Sequence, residues 1–475
     1  MDNLIGREAQ IKILEAAKAT DRAEMVAVVG RRRIGKTYLI RQFFGADICF
    51  ELTGLQQGGK QEQLTNFQLA FNTYFPKLEM TKVPSNWLVA FDGLARALEA
   101  TKSPAKQVVF LDELPWLGGA KSGFIQGLSY FWNTWASKQR IAVVICGSAA
   151  SWMIDKVIND KGGLHNRVTR LLYLYPFTLS ETEAFCRLRN INLNRYQLLQ
   201  IYMTIGGVPM YLDQLKQGLS AIQNIQAICF HPTGYLRHEF DRLYASLFMH
   251  YEQHVAIIRV LGKKRKGLTR QEIISNTKLT NGGALSKVLD ELEQSGFITL
   301  FSGYGKKVKE TIYRLTDAYS LFYLTYIEPL GKGSQVDFAK FSDLPSWKSW
   351  SGYAFENVCF THIEQIRKAL GIAGVATSVS SFISQPTTEI PGTQIDLVID
   401  RNDQSINICE AKFSTSPYLL TKQDIESFRR KKEAFQSHTQ TPKHLFLTLI
   451  AAHGVVDNRY RSDIDQVIVL DDLFG

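Results

Sequence analysis

Over the first third of the chain, short unbroken apolar runs alternate with longer amphipathic stretches. The runs lie at 25–29 (MVAVV), 108–111 (VVFL) and 141–146 (IAVVIC), each bounded by glycine or polar residues. Such runs predict strands buried on both faces, and strands separated by helices predict βαβ units around a parallel sheet. From 176 to 248 the apolar spacing turns helical, most clearly at 196–205 and 236–247, and predicts a helical subdomain. Past 250 the rhythm shifts again. It predicts helices at 255–261, at 269–275 with Thr269 as N-cap, and at 280–295, then strands at 297–302 and 310–315 joined by GYGKKVK. Three helices followed by a two-stranded hairpin is the winged-helix order. Beyond a connector containing GKGS, the pattern predicts a helix around 353–370, strands at 394–400 and 405–413, a helix at 422–435, and strands at 444–449 and 466–470. The domains expected are 1–175, 176–250, 251–330 and 345–475.

Composition narrows the class. The chain has 475 residues, 45% hydrophobic and 21% charged, a mix that builds several cores and excludes disorder or a coiled coil as a global description. It contains no apolar stretch of the ~18–20 residues that a membrane span needs. The six cysteines, with no C-x-x-C pair, predict reduced thiols and a cytoplasmic location rather than a disulfide framework or zinc site. Lys and Arg number 55 against 45 Asp and Glu. Residues 256–317 hold 12 of the former and 6 of the latter, a surplus of six, and a surplus so concentrated is an electrostatic footprint for nucleic acid.

The clearest chemistry is at 30–37. GRRRIGKT follows an apolar run and opens a helical pattern, the context a phosphate-binding loop requires. Gly30, Arg33, Ile34, Gly35, Lys36, Thr37 and Tyr38 are therefore candidate nucleotide contacts, Lys36 for the phosphates and Thr37 for Mg²⁺. The run at 108–111 ends in Asp112-Glu113, some 75 residues later. Asp112 is a candidate metal ligand and Glu113 a candidate orienter or base for water. Ser148, after the third run, is a candidate γ-phosphate sensor.

Gly6-Arg7-Glu8, the loop at 30–37, LDELPWL, the CGS at 146–148, NRVTRLLYLYPFTLSE and GGVPMYL occur in that order. Together they resemble the archaeal-type ATPase family, in the STAND-related branch of AAA+ ATPases, over most of residues 1–250. The resemblance implies an α/β P-loop NTPase with a helical lid that uses ATP and Mg²⁺. It further implies Arg7 and Glu8 beside the adenine, Pro209 reaching the base from the lid, and Arg167 or Arg170 as γ-phosphate sensor or arginine finger.

In the basic middle, Asn281, Ser286 and Lys287 would face a major groove if 280–295 were a recognition helix. Lys263, Lys264, Arg265 and Lys266, with Lys306, Lys307 and Lys309 of the hairpin, would grip phosphates. Near the C-terminus, QIDLVID at 394–400 carries Asp396, and SINICEAKF at 405–413 carries Glu410 and Lys412, two residues apart and so on one strand face. Two carboxylates and a lysine are the groups of metal-dependent phosphodiester cleavage, with Asp396 and Glu410 on Mg²⁺ and Lys412 on the water or the oxyanion. The order of elements over 345–475 resembles the PD-(D/E)XK nuclease fold, which the ATPase family often carries at its C-terminus. That resemblance implies Glu356 as a further metal contact and admits Mn²⁺ as well as Mg²⁺. The usual Pro-Asp is here Ile395-Asp396, with Pro391-Gly392 nearby.

The expectation is an ATPase that contacts DNA through a winged helix and carries a nuclease-like domain. The rival is a nucleotide-controlled switch that binds DNA or a protein partner without cleaving DNA; the partners expected are DNA, a protein or further copies of the chain. A sequence-specific transcription factor is disfavoured by the few long polar side chains early in 280–295.

Overall fold

The computed structural model describes residues 4–101, 104–119, 121–159, 162–248, 250–301, 303–305, 311–331, 337–341, 345–384 and 392–475. The chain divides into two compact units, Met1–Pro176 with Ser246–Met249, and Phe177–Ala245 with His250–Gly475.

The first unit is built on strands β1 (Glu24–Val29), β2 (Ile48–Thr53), β3 (Gln107–Asp112), β4 (Ile141–Gly147) and β5 (Arg170–Tyr173). All neighbours run parallel, in the order β2-β3-β4-β1-β5. The unbroken apolar run of β1 is explained by burial on both faces. Met25, Ala27 and Val29 pack in one core with Trp87, Phe91 and Phe124. Val26 and Val28 pack in the other with Leu14, Leu39 and Ile40. Each such side chain contributes about 1.5–3 kcal/mol by leaving water. The two strands absent from the sequence reading, β2 and β5, are the sheet's edges. They are only partly buried and carry polar residues such as Glu51 and Arg170, so they lack the uniform apolar signature of the inner three.

In the second unit, helix Tyr251–Lys263 precedes β6 (Leu268–Thr269), helices Arg270–Thr277 and Gly283–Gln294, and the antiparallel pair β7 (Ile298–Phe301) and β8 (Ile312–Leu315). The sheet order is β6-β8-β7. Thr269 caps its helix as expected, in a reciprocal box with Glu272; such caps contribute about 1 kcal/mol. A separate C-terminal sheet contains β9 (Thr377–Ser384), β10 (Thr393–Arg401), β11 (Ser405–Lys412), β12 (His444–Ala451) and β13 (Gln466–Val469) in the order β13-β12-β11-β10-β9. β9, β10 and β11 are antiparallel neighbours, and β12 and β13 continue parallel to β11. Helix Lys422–Thr439 makes the crossover and buries Ile425, Phe428 and Phe435 against Val398, Ile406 and Ile408. The single helix expected around 353–370 is two, Pro345–Thr361 and Ile363–Ala369, parted at His362. The serine-rich β9 (TSVSSFIS) was not foreseen, having too few apolar residues to stand out.

The helix expected at 196–205 is Arg195–Ile205, which falls in the second unit with Leu179–Leu188, and the one expected at 236–247 is Glu239–Leu247. The Leu179 N–H donates to His362 Nε2 at 2.9 Å. Tyr196 stacks on Phe413, with ring centroids 5.6 Å apart and planes 11° from parallel.

Candidate functional site

The loop after β1 is shaped by glycine. Gly30 has φ 158°, and a Cβ there would fall 2.4 Å from Ile34 Cδ1 and 2.5 Å from the Leu174 carbonyl oxygen. Gly35, at φ 87°, starts helix Lys36–Phe44, and Arg33 also takes a left-handed conformation at φ 75°. The loop thus opens a helix N-terminus, where free N–H groups and the helix dipole favour anions. Lys36 Nζ folds back into the loop and donates to the carbonyls of Gly30 at 2.8 Å and Arg31 at 2.9 Å. Burial holds its pKa below the ordinary lysine value.

Across the sheet, Thr37 Oγ1 donates to Asp112 Oδ2 at 2.7 Å. β4 lies between β1 and β3, so the loop and the end of β3 face each other over one intervening strand. From that strand the Cys146 thiol donates to Asp112 Oδ1, which also accepts the Glu113 N–H at 2.8 Å. Burial pushes the Cys146 thiol well above its ordinary range. A hydroxyl and a carboxylate side by side form a hard-oxygen pair that suits Mg²⁺, so Thr37 and Asp112 fit that ion.

The other expected residues divide. Arg7, buried and at φ 61°, reaches the Ile34 carbonyl of the loop at 3.3 Å. Glu8 and Tyr38 are in the same unit; Glu8 is exposed, as is Tyr38. Ser148 does not point outward as a free sensor. Its hydroxyl donates to Glu113 Oε2 at 2.7 Å, and its N–H to the same oxygen at 3.1 Å. Arg167 and Arg170 sit at the wrong end of the sheet to act on this unit's own loop. Arg170 pairs in register with Val26, four residues before Gly30, or roughly 13 Å at the usual strand rise. It meets Glu24 at 3.5 Å, and Arg167 is exposed just before it. The spacing from the motifs could not disclose which end of β5 these arginines would occupy. Pro209 belongs to the second unit and opens the turn Pro209–Leu212. The preceding Gly207 is required there, because a Cβ would lie 1.9 Å from the Phe177 carbonyl oxygen.

Residues 4–215 match the model of an ATPase domain found predominantly in Archaea. Those residues are similar to that family of ATPase domains. A Walker-type ATPase of Pyrococcus abyssi superposes with a TM-score of 0.51 at 17% identity, over 68% of this chain and 96% of that one, and shares its fold with that part of this chain. The ORC2 protein of Aeropyrum pernix is similar at a TM-score of 0.41 and 14% identity, over 68% of this chain and 95% of that one. An uncharacterized protein of Methanocaldococcus jannaschii is 21% identical over 414 residues, 86% of this chain and 87% of that protein.

A second cluster lies outside residues 4–215. Register places Leu397 opposite Cys409, and the neighbouring Asp396 lies within electrostatic reach of Glu410. Burial, then the neighbouring Glu410, raises the Asp396 pKa. Burial, then Asp396, pushes Glu356 up to about 7, against the pull of Arg314. The acids are nevertheless held by cations. Glu410 meets Lys431 at 2.6 Å and Lys412 at 3.2 Å, and Glu356 meets Arg314 at 2.9 Å. Among the described residues, no three Asp, Glu, His or Cys side chains are gathered so as to hold a metal. Of the expected ligand set, Glu410 and Glu356 are thus paired with lysines and an arginine, and Asp396 lies within electrostatic reach of both. Lys431 and Arg314 were missed by the sequence reading, as they are distant in sequence and carry no motif.

The basic middle also differs from expectation. Arg270 Nε donates to Asn281 at 3.2 Å and its guanidinium to the Gly282 carbonyl at 3.1 Å, which ties down the start of helix Gly283–Gln294. Ser286 is half-buried and turned back to Gly282. Lys287 lies 3.8 Å from Glu291 on a helix that also carries Asp290 and Glu293. Lys263, Lys264 and Lys266 are exposed, and Arg265 donates to Ser349. Lys306, Lys307, Lys309 and Pro391 lie outside the described residues; Gly392 is exposed. At the hairpin turn, Gly303 bridges Ser381 of β9 and the Tyr304 N–H donates to the Ser381 carbonyl at 2.9 Å.

Proposed function

We propose that the chain is a Mg²⁺-dependent ATPase whose nucleotide cycle works on a DNA-contacting second unit. The observation that carries this reading is the Thr37–Asp112 contact beside a loop that only glycine can shape, with Lys36 folded into it. Phosphate oxygens would replace the two carbonyls on Lys36 Nζ and bring this ammonium onto the β- and γ-phosphates. Thr37 and Asp112 would hold Mg²⁺, which supplies charge neutralisation of the phosphates. Glu113, released from Ser148, would orient or deprotonate the attacking water. Arg7, held on the Ile34 carbonyl, lines the base side with Glu8, and Arg33, Ile34 and Tyr38 complete the loop's contacts. Arg167 could serve only a nucleotide on another copy of the chain, so it is left out of its own site's machinery.

A second reading concerns the C-terminal sheet. The meander β9-β10-β11, the helical crossover to a parallel β12, and Asp396 within electrostatic reach of Glu410 beside Lys412 support a nuclease-like fold. The helix–strand–helix–helix–hairpin order and the sheet β6-β8-β7 likewise support a winged helix. Because lysines hold Glu410, the reading favoured is a polynucleotide-binding module that grips phosphates through Lys263, Lys264 and Lys266. Cleavage would require Lys431 and Lys412 to release Glu410.

The test follows ATP turnover with and without DNA, and DNA integrity in the same reactions, with Mg²⁺ and with Mn²⁺. Lys36→Ala is expected to lose turnover altogether; retained turnover in that purified variant would sink the ATPase site. DNA-stimulated turnover supports the DNA-contacting unit. Cleavage that disappears in Glu410→Ala would establish a nuclease, whereas DNA left intact with turnover indifferent to it would indicate a switch with a protein partner.

A further inference from the structure

Asp112 is the carboxylate that meets Thr37 across the sheet, and three donors hold it. Two are accounted for. The Glu113 N–H is fixed by the backbone, and the Thr37 hydroxyl belongs to the nucleotide loop. The third is the Cys146 thiol, near the end of the central strand β4. Register puts Cys146 beside Val28 of β1 on one side, and Ile145 beside Leu111 of β3 on the other. The thiol therefore lies between the two strands whose ends carry the loop and the carboxylate. It is fully buried. Its surroundings are tight, since a Cβ on the adjacent Gly147 would fall 2.6 Å from Pro115.

We propose that Cys146 is a positioning residue for ATP hydrolysis, whose S–H fixes the plane of the Asp112 carboxylate so that Oδ2 stays aimed at Thr37 and the metal ion. The argument is geometric. When Thr37 turns its oxygen toward a metal, its hydrogen leaves Oδ2, and Thr37 no longer orients the carboxylate. The Glu113 N–H and the Cys146 thiol both meet Oδ1, from the chain and from the neighbouring strand. With both in place, rotation about the Cβ–Cγ bond would break a hydrogen bond. Without the thiol, one donor remains and the carboxylate can swing. A cysteine that merely fills a small apolar space would not need to face a carboxylate.

This inference rests on Asp112 as the metal ligand, and the experiment separates the two. ATP turnover is measured against Mg²⁺ concentration, and ATP binding is measured in EDTA, for Cys146→Ala, Cys146→Ser and Asp112→Asn. Cys146→Ala is expected to raise the Mg²⁺ needed for half-maximal turnover about tenfold, the usual weight of a hydrogen bond to a charged group, with metal-free ATP binding unchanged. Cys146→Ser keeps a donor and should return to within about twofold of wild type. An unchanged Mg²⁺ dependence in folded Cys146→Ala overturns the proposal, as does an equal shift in the alanine and serine variants, which marks a packing role. If the alanine variant does not fold, Cys146→Val fills the space without donating and carries the same expectation. Asp112→Asn should lose Mg²⁺-dependent turnover; if it does not, the metal assignment itself fails, and the role of Cys146 with it.

Discussion

Glu113 has φ 50°, a left-handed backbone at the N-cap of the turn Leu114–Leu117, and its carboxylate is held by two donors from Ser148. A carboxylate so engaged accepts charge-stabilising hydrogen bonds where it rests, and those must be exchanged for a water before it can act as a base. Replacing it tests that role directly. Glu113→Gln keeps the side chain's shape and can still accept from Ser148, but it cannot take a proton. ATP binding should be retained and turnover should fall about 10²- to 10⁴-fold, the usual contribution of a general base, as read by comparing nucleotide affinity with steady-state phosphate release. Turnover within a few-fold of wild type would mean that Glu113 does no proton work. Residues 30–37, Asp112 and Glu113 were legible in the sequence because their chemistry is local: a loop between strand and helix, and an acid at a strand end. Ser148 was visible only as a position. Its partner was not, since nothing in the spacing tells whether a side chain after β4 faces the nucleotide or the neighbouring strand.

At the scale of elements, one histidine joins two helical pieces. His362 parts Pro345–Thr361 from Ile363–Ala369, its Nε2 accepts the Leu179 N–H, and its Nδ1 lies 2.9 Å from the Val358 carbonyl. Nε2 must be unprotonated to accept, and burial depresses the His362 pKa to about 4. A native state that binds the proton less readily than the unfolded chain is favoured above the unfolded pKa, near 6.5, and loses that stability as pH falls toward 4. The loss amounts to about 3 kcal/mol. Glu356 runs the other way, being pushed up to about 7, so its contribution is present below its unfolded pKa and fades as pH rises to 7. The two slopes offset between roughly pH 4.5 and 6.5 in the wild type. His362→Gln isolates the first of them. Its stability gap to wild type in denaturant unfolding should narrow by about 3 kcal/mol between pH 7 and pH 4, and a gap independent of pH would show that His362 is not held neutral. Sequence patterning identified the helix but not its interruption, which falls at a residue that accepts from Leu179, 183 residues away. It missed β2, β5 and β9 because edge strands and serine-rich strands bury too little to show a run.

At the scale of the whole molecule, the grouping of segments was the least legible feature. The helices 179–188 and 195–205 follow the ATPase motifs in sequence, yet they cluster with the C-terminal sheet. The fastening is specific. Tyr196 lies flat on Phe413, the residue after Lys412, and 4.8 Å from the His453 ring. Arg195 meets Glu183 at 3.1 Å and Asp471 at 2.9 Å, and its guanidinium lies 4.6 Å from the Phe474 ring. An aromatic pair adds about 0.5–1.5 kcal/mol beyond the area it buries, and a charged pair on this partly exposed rim adds about 1 kcal/mol at most, so the stack is the firmer joint. If the ATPase cycle moves these helices, the Lys412–Phe413 end of β11 must move with them, and DNA held near it should feel the nucleotide. Tyr196→Ala removes the ring while leaving every residue of the nucleotide loop in place. Turnover without DNA should stay within about twofold of wild type, since no group in the hydrolytic site is altered. The change in DNA affinity between ATP and ADP should shrink toward none, measured by fluorescence anisotropy in each nucleotide. A wild-type difference that survives intact in Tyr196→Ala would place the coupling elsewhere, with the Arg195 contacts to Asp471 and Phe474 the next joint to break.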